Sequence, residues 1–282
     1  MADNKDCEGA SSCSRESCEG CPSAKGAQSL KEDVNEFSRI GHVIGVVSGK
    51  GGVGKSLVTA SLANLMAEMG YKVGIMDADV TGPSIPKMYG LKQRIIADNR
   101  GMIPAVTKND IKVVSLNLLV PDPEQAVIWR GPVIAGVVKQ FWTDVVWGEL
   151  DYLFVDMPPG TGDVPLTVFQ SLPVDGILVV TSPQDLVSLI VKKALNMAHM
   201  MNIPALGIIE NYSYLVCPDC GRKINVFGKS HLQDTVAEFG VPVAGYMPID
   251  PKLAEASDEG TFADVKNDYL EQAAQIIKSV LG

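Results

Sequence analysis

The residues best equipped for chemistry stand together at Gly49-Lys50-Gly51-Gly52-Val53-Gly54-Lys55-Ser56, which fits G-x-x-x-x-G-K-[ST]. Glycines in that pattern let the backbone fold tightly, so that successive N–H groups point inward at phosphate oxygens. Leu57 opens a segment that reads as a helix to Met69, and its positive dipole end faces the same place. Lys55 is the group to reach the β- and γ-phosphates of ATP or GTP, and the Ser56 hydroxyl is the ligand for Mg²⁺. The pattern does not require Lys50. It is either a solvated loop cation or a second positive charge set against phosphate, the usual means of stabilising phosphoryl transfer.

Three carboxylates close apolar runs. Lys72–Met76 ends in Asp77-Ala78-Asp79, and Leu150–Val155 ends in Asp156. Carboxylates at the carboxyl ends of parallel strands lie in the crevice where such folds bind ligands. Asp156 then accepts Mg²⁺-bound water, Asp79 orients the attacking water, and Asp77 supports Mg²⁺ through its waters. After Asp156, Gly160 and Gly162 leave the loop free to move when a γ-phosphate departs. Asp163 is too generic for a role. Asn211, after another apolar run, offers both a donor and an acceptor, which suits an adenine edge.

The cysteines form a second constellation. Cys217-Pro218-Asp219-Cys220-Gly221 places two thiolates on a tight turn, half of a tetrahedral set. Either the N-terminal cysteines complete it or a second subunit does. A redox dithiol is disfavoured, because that motif opens a helix in a thioredoxin-like unit and none is evident. His231 is a further ligand candidate. Cys7, Cys13, Cys18 and Cys21 crowd into the first residues. Four thiolates there suit zinc or an iron–sulfur cluster, or the tail holds no metal; the ligand set alone does not choose.

These groups need a scaffold. Apolar runs at Val43–Val47, Lys72–Met76, Leu150–Val155, Gly176–Thr181, Ala205–Ile209 and Val243–Met247 read as parallel strands. Helices are expected at Leu57–Met69, Pro83–Tyr89, Val133–Trp147 (Val137, Phe141 and Val145 inward), Asp185–Met201 and Ala263–Leu281 (Val265, Tyr269, Ala273, Ile276, Ile277 and Val280 inward). Leu30–Ser38 reads as a short helix and Arg222–Phe227 as a short strand. Residues 91–127 break the rhythm and read as a surface excursion, with a hairpin of Met102–Val106 and Ile111–Leu116. The expected fold is α/β, a doubly wound, mostly parallel sheet with helices on both faces. It is divided into a flexible Cys-rich tail, 1–29, and an ATPase domain, 30–282, with the Cys-x-x-Cys knuckle embedded.

The chain has 282 residues, 46% hydrophobic and 20% charged, within the range of one globular α/β domain. A formal net charge of -9 argues against a nucleic-acid surface. No apolar run has membrane-span length and the first residues are polar, so no membrane association and a cytoplasmic location are expected. The six cysteines should then be thiols or metal ligands, not disulfides.

With Lys50–Ser56, Asp77-Ala-Asp79, Trp129-Arg-Gly-Pro132, Asp156-Met-Pro-Pro-Gly-Thr-Gly-Asp163, Thr181-Ser-Pro-Gln184, Glu210-Asn-Tyr-Ser213, Cys217-Pro-Asp-Cys220-Gly and Met247-Pro-Ile-Asp250 in this order, the chain from about residue 40 onward resembles the Mrp/ApbC family of P-loop iron–sulfur carriers. These are relatives of the MinD and ParA ATPases with their lysine-flanked P-loop. The resemblance implies a homodimer with one ATP site per subunit and Lys50 reaching across to the partner's nucleotide. It adds Pro248 and Asp250 to the nucleotide contacts. It also implies a labile 4Fe–4S cluster bridged by Cys217 and Cys220 of both subunits and handed to apoproteins, with cluster-assembly proteins as partners. The tail is similar to the cysteine-bearing extension of the eukaryotic cytosolic scaffolds, though its spacing differs. The rival expectation is a MinD- or ParA-like positioning ATPase whose knuckle holds structural zinc.

Overall fold

The computed structural model describes residues 31–79, 82, 84–119, 131–183, 186–228, 230 and 232–281. Cys7, Cys13, Cys18, Cys21, Trp129, Arg130, Gln184 and His231 lie outside them. The chain from Glu32 onward forms one unit.

Its centre is a nine-stranded sheet. Strands β1 (Arg39–Ser48), β2 (Val73–Asp77), β6 (Lys112–Ser115), β7 (Glu149–Asp156), β8 (Gly176–Thr181), β9 (Ala205–Val216) and β11 (Val243–Pro248) are joined in parallel, in the order β6-β2-β7-β1-β8-β9-β11. Two short strands, β5 (Ala105–Val106) beside β6 and β10 (Lys223–Ile224) beside β9, are antiparallel. A separate antiparallel pair is formed by β3 (Ile96–Asp98) and β4 (Gly101–Ile103).

The central strands are apolar throughout because both faces are covered, as parallel sheets require. Along β1 the side chains alternate between two cores. Val43 and Val47 join the first, with Val138 and Phe141 of α3 (Gly131–Thr143), Val164 and Val168 of α4 (Asp163–Ser171), Val191 and Leu195 of α5 (Leu186–Met200), and Leu232 of α6 (Leu232–Phe239). Ile44 and Val46 join the second, with Val58 and Leu62 of α1 (Lys55–Glu68), Ile85 of α2 (Ile85–Met88), Leu253 of α7 (Pro251–Glu259) and Ile277 of α8 (Glu271–Leu281). The sheet is therefore doubly wound, as expected. Among the described residues no helix is long and apolar enough to cross a membrane.

Several local expectations are corrected. Lys31–Ser38 is not helical, because its polar backbone is committed elsewhere. Glu32 donates to the Ser171 carbonyl and accepts from the Trp142 indole, and the Asn35 side chain folds back on the Phe37 N–H. The stretch after residue 91 is only partly a surface excursion. Its second hairpin arm is β6, paired in parallel with β2 and buried at Val113, Val114 and Ser115. The first arm is divided around Pro104, so that Met102 pairs back with Ala97 and only Ala105 and Val106 meet β6.

Helix α3 stops at Thr143. Its buried residues are Val138, Phe141 and Trp142, while Val145 is buried beyond the helix end. The last helix begins at Glu271, after a 3₁₀ turn at Phe262–Asp264, and leaves Val280 exposed. The expected Arg222–Phe227 strand shrinks to Lys223–Ile224. Three helices, α4, α6 and α7, were not foreseen. Each has only 8 or 9 residues, too short for apolar periodicity to stand out.

Candidate functional site

The sheet's carboxyl edge gathers the predicted groups. Strand β1 ends at Ser48, flanked by β7 and β8, and the P-loop leaves from there into α1. Gly52 and Gly54 have φ of 80° and 77°, the left-handed region where a side chain is strained. Register sets Asp77 of β2 directly beside Asp156 of β7. One strand alignment thus brings together two carboxylates 79 positions apart.

Asp156 is fully buried and accepts three hydrogen bonds, from Lys55 Nζ at 2.8 Å and Thr59 Oγ1 at 2.8 Å on Oδ1, and from Ser56 Oγ at 2.6 Å on Oδ2. Lys55 Nζ also lies 3.6 Å from Asp79 Oδ2. Burial pushes the Lys55 ammonium down, but Asp156, then Asp79 and Asp77, outweigh it and hold the group above its usual range. Asp77 is driven the other way. Burial first, then the neighbouring Asp156 charge, raises its carboxyl well above the ordinary value despite Lys55 and a 3.0 Å hydrogen bond from the Ser115 hydroxyl.

Three carboxylates thus face one ammonium in a water-poor crevice, an excess of negative charge that a divalent cation neutralises. Ser56 and Asp156 are hard oxygen donors of the kind Mg²⁺ takes. Ser48, which lines the cleft, adds a buried hydroxyl with no hydrogen-bond partner among the described residues. Such an orphan is what a bound ligand or its water satisfies.

The cleft itself encloses about 780 Å³ and is lined by Gly51–Leu57, Asp79, Tyr212 and Pro248–Pro251, closed by α2 and α7. That volume suits a nucleotide-sized ligand. Asp250 is at the rim, but both its oxygens are engaged. One caps α7 through the Lys252 N–H at 3.0 Å, and the other accepts from the Tyr269 hydroxyl at 3.0 Å. Burial and that bond push the Tyr269 phenol up to about 12. Asn211 is fully buried and donates to the Val53 carbonyl at 3.0 Å, so its amide holds the P-loop here. Lys50 is exposed.

The residues that the sequence did not single out are Thr59, Ser115 and Tyr212. Thr59 lies one turn beyond Lys55, the only signal available beforehand. Asp163 opens α4 and stays exposed.

The knuckle lies elsewhere, at the end of β9. The Gly221 N–H donates to the Cys217 carbonyl at 2.9 Å, the Cys217 N–H donates to Arg222 at 3.0 Å, and Gly221 has φ of 70°. The Cys220 and Asp219 N–H groups point at the Cys217 sulfur, with the Cys220 thiol adding to them, and hold its pKa below the usual thiol value. This favours the thiolate that a metal needs. Among the described residues no group of three or more His, Cys, Asp or Glu forms a metal-sized cluster, so the pair remains half a set.

Residues 39–281 match the family described as ParA: NUBPL iron-transfer P-loop NTPase. The chain belongs to that family of P-loop NTPases. Its relatives include an iron-sulfur cluster carrier protein of Methanocaldococcus jannaschii, 47% identical over 86% of this chain and 87% of that one. Another, of the same name, from Saccharolobus solfataricus is 44% identical over 87% and 86%. Among solved structures, the nucleotide-binding protein in complex with ADP from Archaeoglobus fulgidus superposes with a TM-score of 0.74 at 42% identity, over 82% of this chain and 91% of that one. The cell division ATPase MinD of Pyrococcus furiosus shares the NTPase fold at a TM-score of 0.60 and 22% identity, over 85% and 99%.

Proposed function

We propose that the protein is an ATP-dependent iron–sulfur cluster carrier. It binds and hydrolyses ATP at the P-loop, assembles a labile 4Fe–4S cluster between two copies of itself, and hands that cluster to apoproteins. The observation that carries this reading is the half-set itself. Two ordered cysteines on a tight turn, with no third ligand among the described residues, belong to a chain with an intact P-loop. Relatives at 47% and 44% identity are named for cluster carriage, which supports it.

In this mechanism the P-loop amides and Lys55 hold the β- and γ-phosphates, and Lys50 of one copy reaches the nucleotide of the other. Ser56 and Asp156 would hold Mg²⁺, with Asp77 supporting it through water; the ion supplies charge neutralisation at the phosphates. Asp79, next to Lys55, orients the attacking water. Cys217 and Cys220 of each copy give the cluster its four thiolates. A cargo shared across a separable interface is easier to release than one enclosed in a fold. Val216, Ile224, Val226 and Phe227 are exposed beside the knuckle and offer the second copy apolar surface.

Anaerobic reconstitution with iron and sulfide tests the reading. Wild type should take up close to four iron and four sulfide per two chains, and Cys217→Ser should take up none at this site. Zinc that stays bound and resists replacement by iron would make the knuckle structural and remove the carrier reading.

A further inference from the structure

The ladder between β9 and β11 is interrupted beside the P-loop. Glu210 is paired with Tyr246 and Tyr214 with Pro248, so Asn211, Tyr212 and Ser213 span what β11 covers with Met247 alone. Tyr212 takes φ of 58°, a left-handed conformation that costs a non-glycine residue on the order of 1 kcal/mol. Bulges re-aim side chains, and this one is aimed at the phosphate loop. The Asn211 amide donates to the Val53 carbonyl, and its oxygen accepts from the Tyr212 N–H at 2.9 Å. A Cβ on Gly54 would stand 2.2 Å from Asn211 Nδ2 and 2.9 Å from the Tyr212 hydroxyl oxygen.

In a trans peptide the C=O and the following N–H point in opposite directions. Anchoring the Val53 carbonyl against β9 therefore turns the Gly54 N–H away from β9, and Gly54 lines the cleft. Past the bulge β9 resumes its pairing, with the Ile249 N–H on the Tyr214 carbonyl at 2.7 Å, and runs on to Val216 and the knuckle. Cys217 is six residues from Asn211, roughly 20 Å at the rise of a strand.

We propose that the Asn211–Tyr212 bulge is a positioning element that orients the Val53–Gly54 peptide toward the phosphates and ties the P-loop to the Cys217–Cys220 turn on the same strand. The second half rests on the carrier reading above. Any such coupling is reciprocal, because a nucleotide that changes cluster affinity must have its own affinity changed by the cluster in the same ratio.

The test uses the full-length protein, wild type and the variants Asn211→Leu, Tyr212→Gly and Tyr212→Phe. Two quantities are measured: Mg–ADP affinity by calorimetry, and the rate at which the reconstituted cluster loses iron to a chelator with and without Mg–ATP. Asn211→Leu should bind ADP about tenfold more weakly, the worth of one buried hydrogen bond. In Asn211→Leu and Tyr212→Gly the nucleotide effect on iron loss should fall to none, while iron loss without nucleotide stays at the wild-type rate. Tyr212→Phe, which keeps the ring and the strain, should retain most of the effect.

Tyr212→Gly keeps the test alive if Asn211→Leu does not fold, since glycine adopts this φ freely. Wild-type ADP affinity and an undiminished nucleotide effect in both variants would overturn the proposal. A wild type whose iron loss ignores nucleotide would instead overturn ATP-coupled carriage, and with it the second half. The ADP affinity of Asn211→Leu then decides the first half alone.

Discussion

Asp77 shows how a functional site is built against stability. With its folded-state pKa raised by burial and by Asp156, the group favours folding most below its unfolded-state pKa and loses that contribution as pH rises toward the folded value. In protein free of nucleotide and metal, Asp77→Asn should therefore raise Tm at pH 7. A gain of 1 kcal/mol corresponds to about 2–4 °C in a chain of this size. The gain should shrink as pH falls and vanish below about pH 3, under the unfolded-state value, where the wild-type carboxyl is protonated in both states. A thermal melt series against pH checks this, and an equal gain at both pH values would mean that charge is not the cause. Lys55→Ala leaves Asp156 and Asp79 without their ammonium. It should abolish both measurable ATP binding and nucleotide control of cluster transfer, and ATP-dependent transfer at the wild-type level would sink the proposed role. The identities of Lys55, Ser56, Asp77, Asp79 and Asp156 were legible beforehand, because spacing within a short loop and position at strand ends are local properties. Thr59 and Ser115 were not, because a hydroxyl in a helix or strand carries no signal until its partner is known.

At the scale of elements, the junction of P-loop and α1 tolerates only glycine at position 54. Gly54→Ala combines a φ of 77° with a Cβ that would collide with Asn211 and Tyr212. Strain alone costs roughly 1–2 kcal/mol, so the variant should melt several degrees lower and lose at least about tenfold in ADP affinity. Calorimetry measures both, and wild-type affinity would show that the contact between β9 and the loop is dispensable. The long central strands were readable from composition, since strands covered on both faces are apolar without interruption. Strand β6 was not. It has 4 residues, follows a prolyl break, and becomes a sheet strand only through its pairing with β2. The true end of β9 was hidden for a related reason: Glu210, Asn211 and Ser213 look like loop residues until the P-loop and neighbouring hydroxyls satisfy them.

Among the described residues stand a P-loop cleft and a cysteine pair with no third ligand, so the proposed carrier is complete only as a pair. Reconstituted protein should sediment as a dimer that returns to a lighter species when the iron is chelated, and Cys217→Ser should give no cluster-dependent shift. Sedimentation velocity with iron analysis reads both. A monomer holding the full iron complement would move the remaining ligands to the cysteines before residue 30. By itself the sequence determined the class of chemistry. A phosphate loop, strand-end carboxylates and a thiolate pair depend on residue types at short spacing, and no other part of the chain can alter what those groups are. Only the tertiary structure decided how they work together. The alignment of β2 with β7 puts Asp77 against Asp156, and the bulge in β9 sets the Asn211 amide against the P-loop. Both results come from contacts between residues far apart in the chain, set by strand register and burial, and no local spacing encodes them.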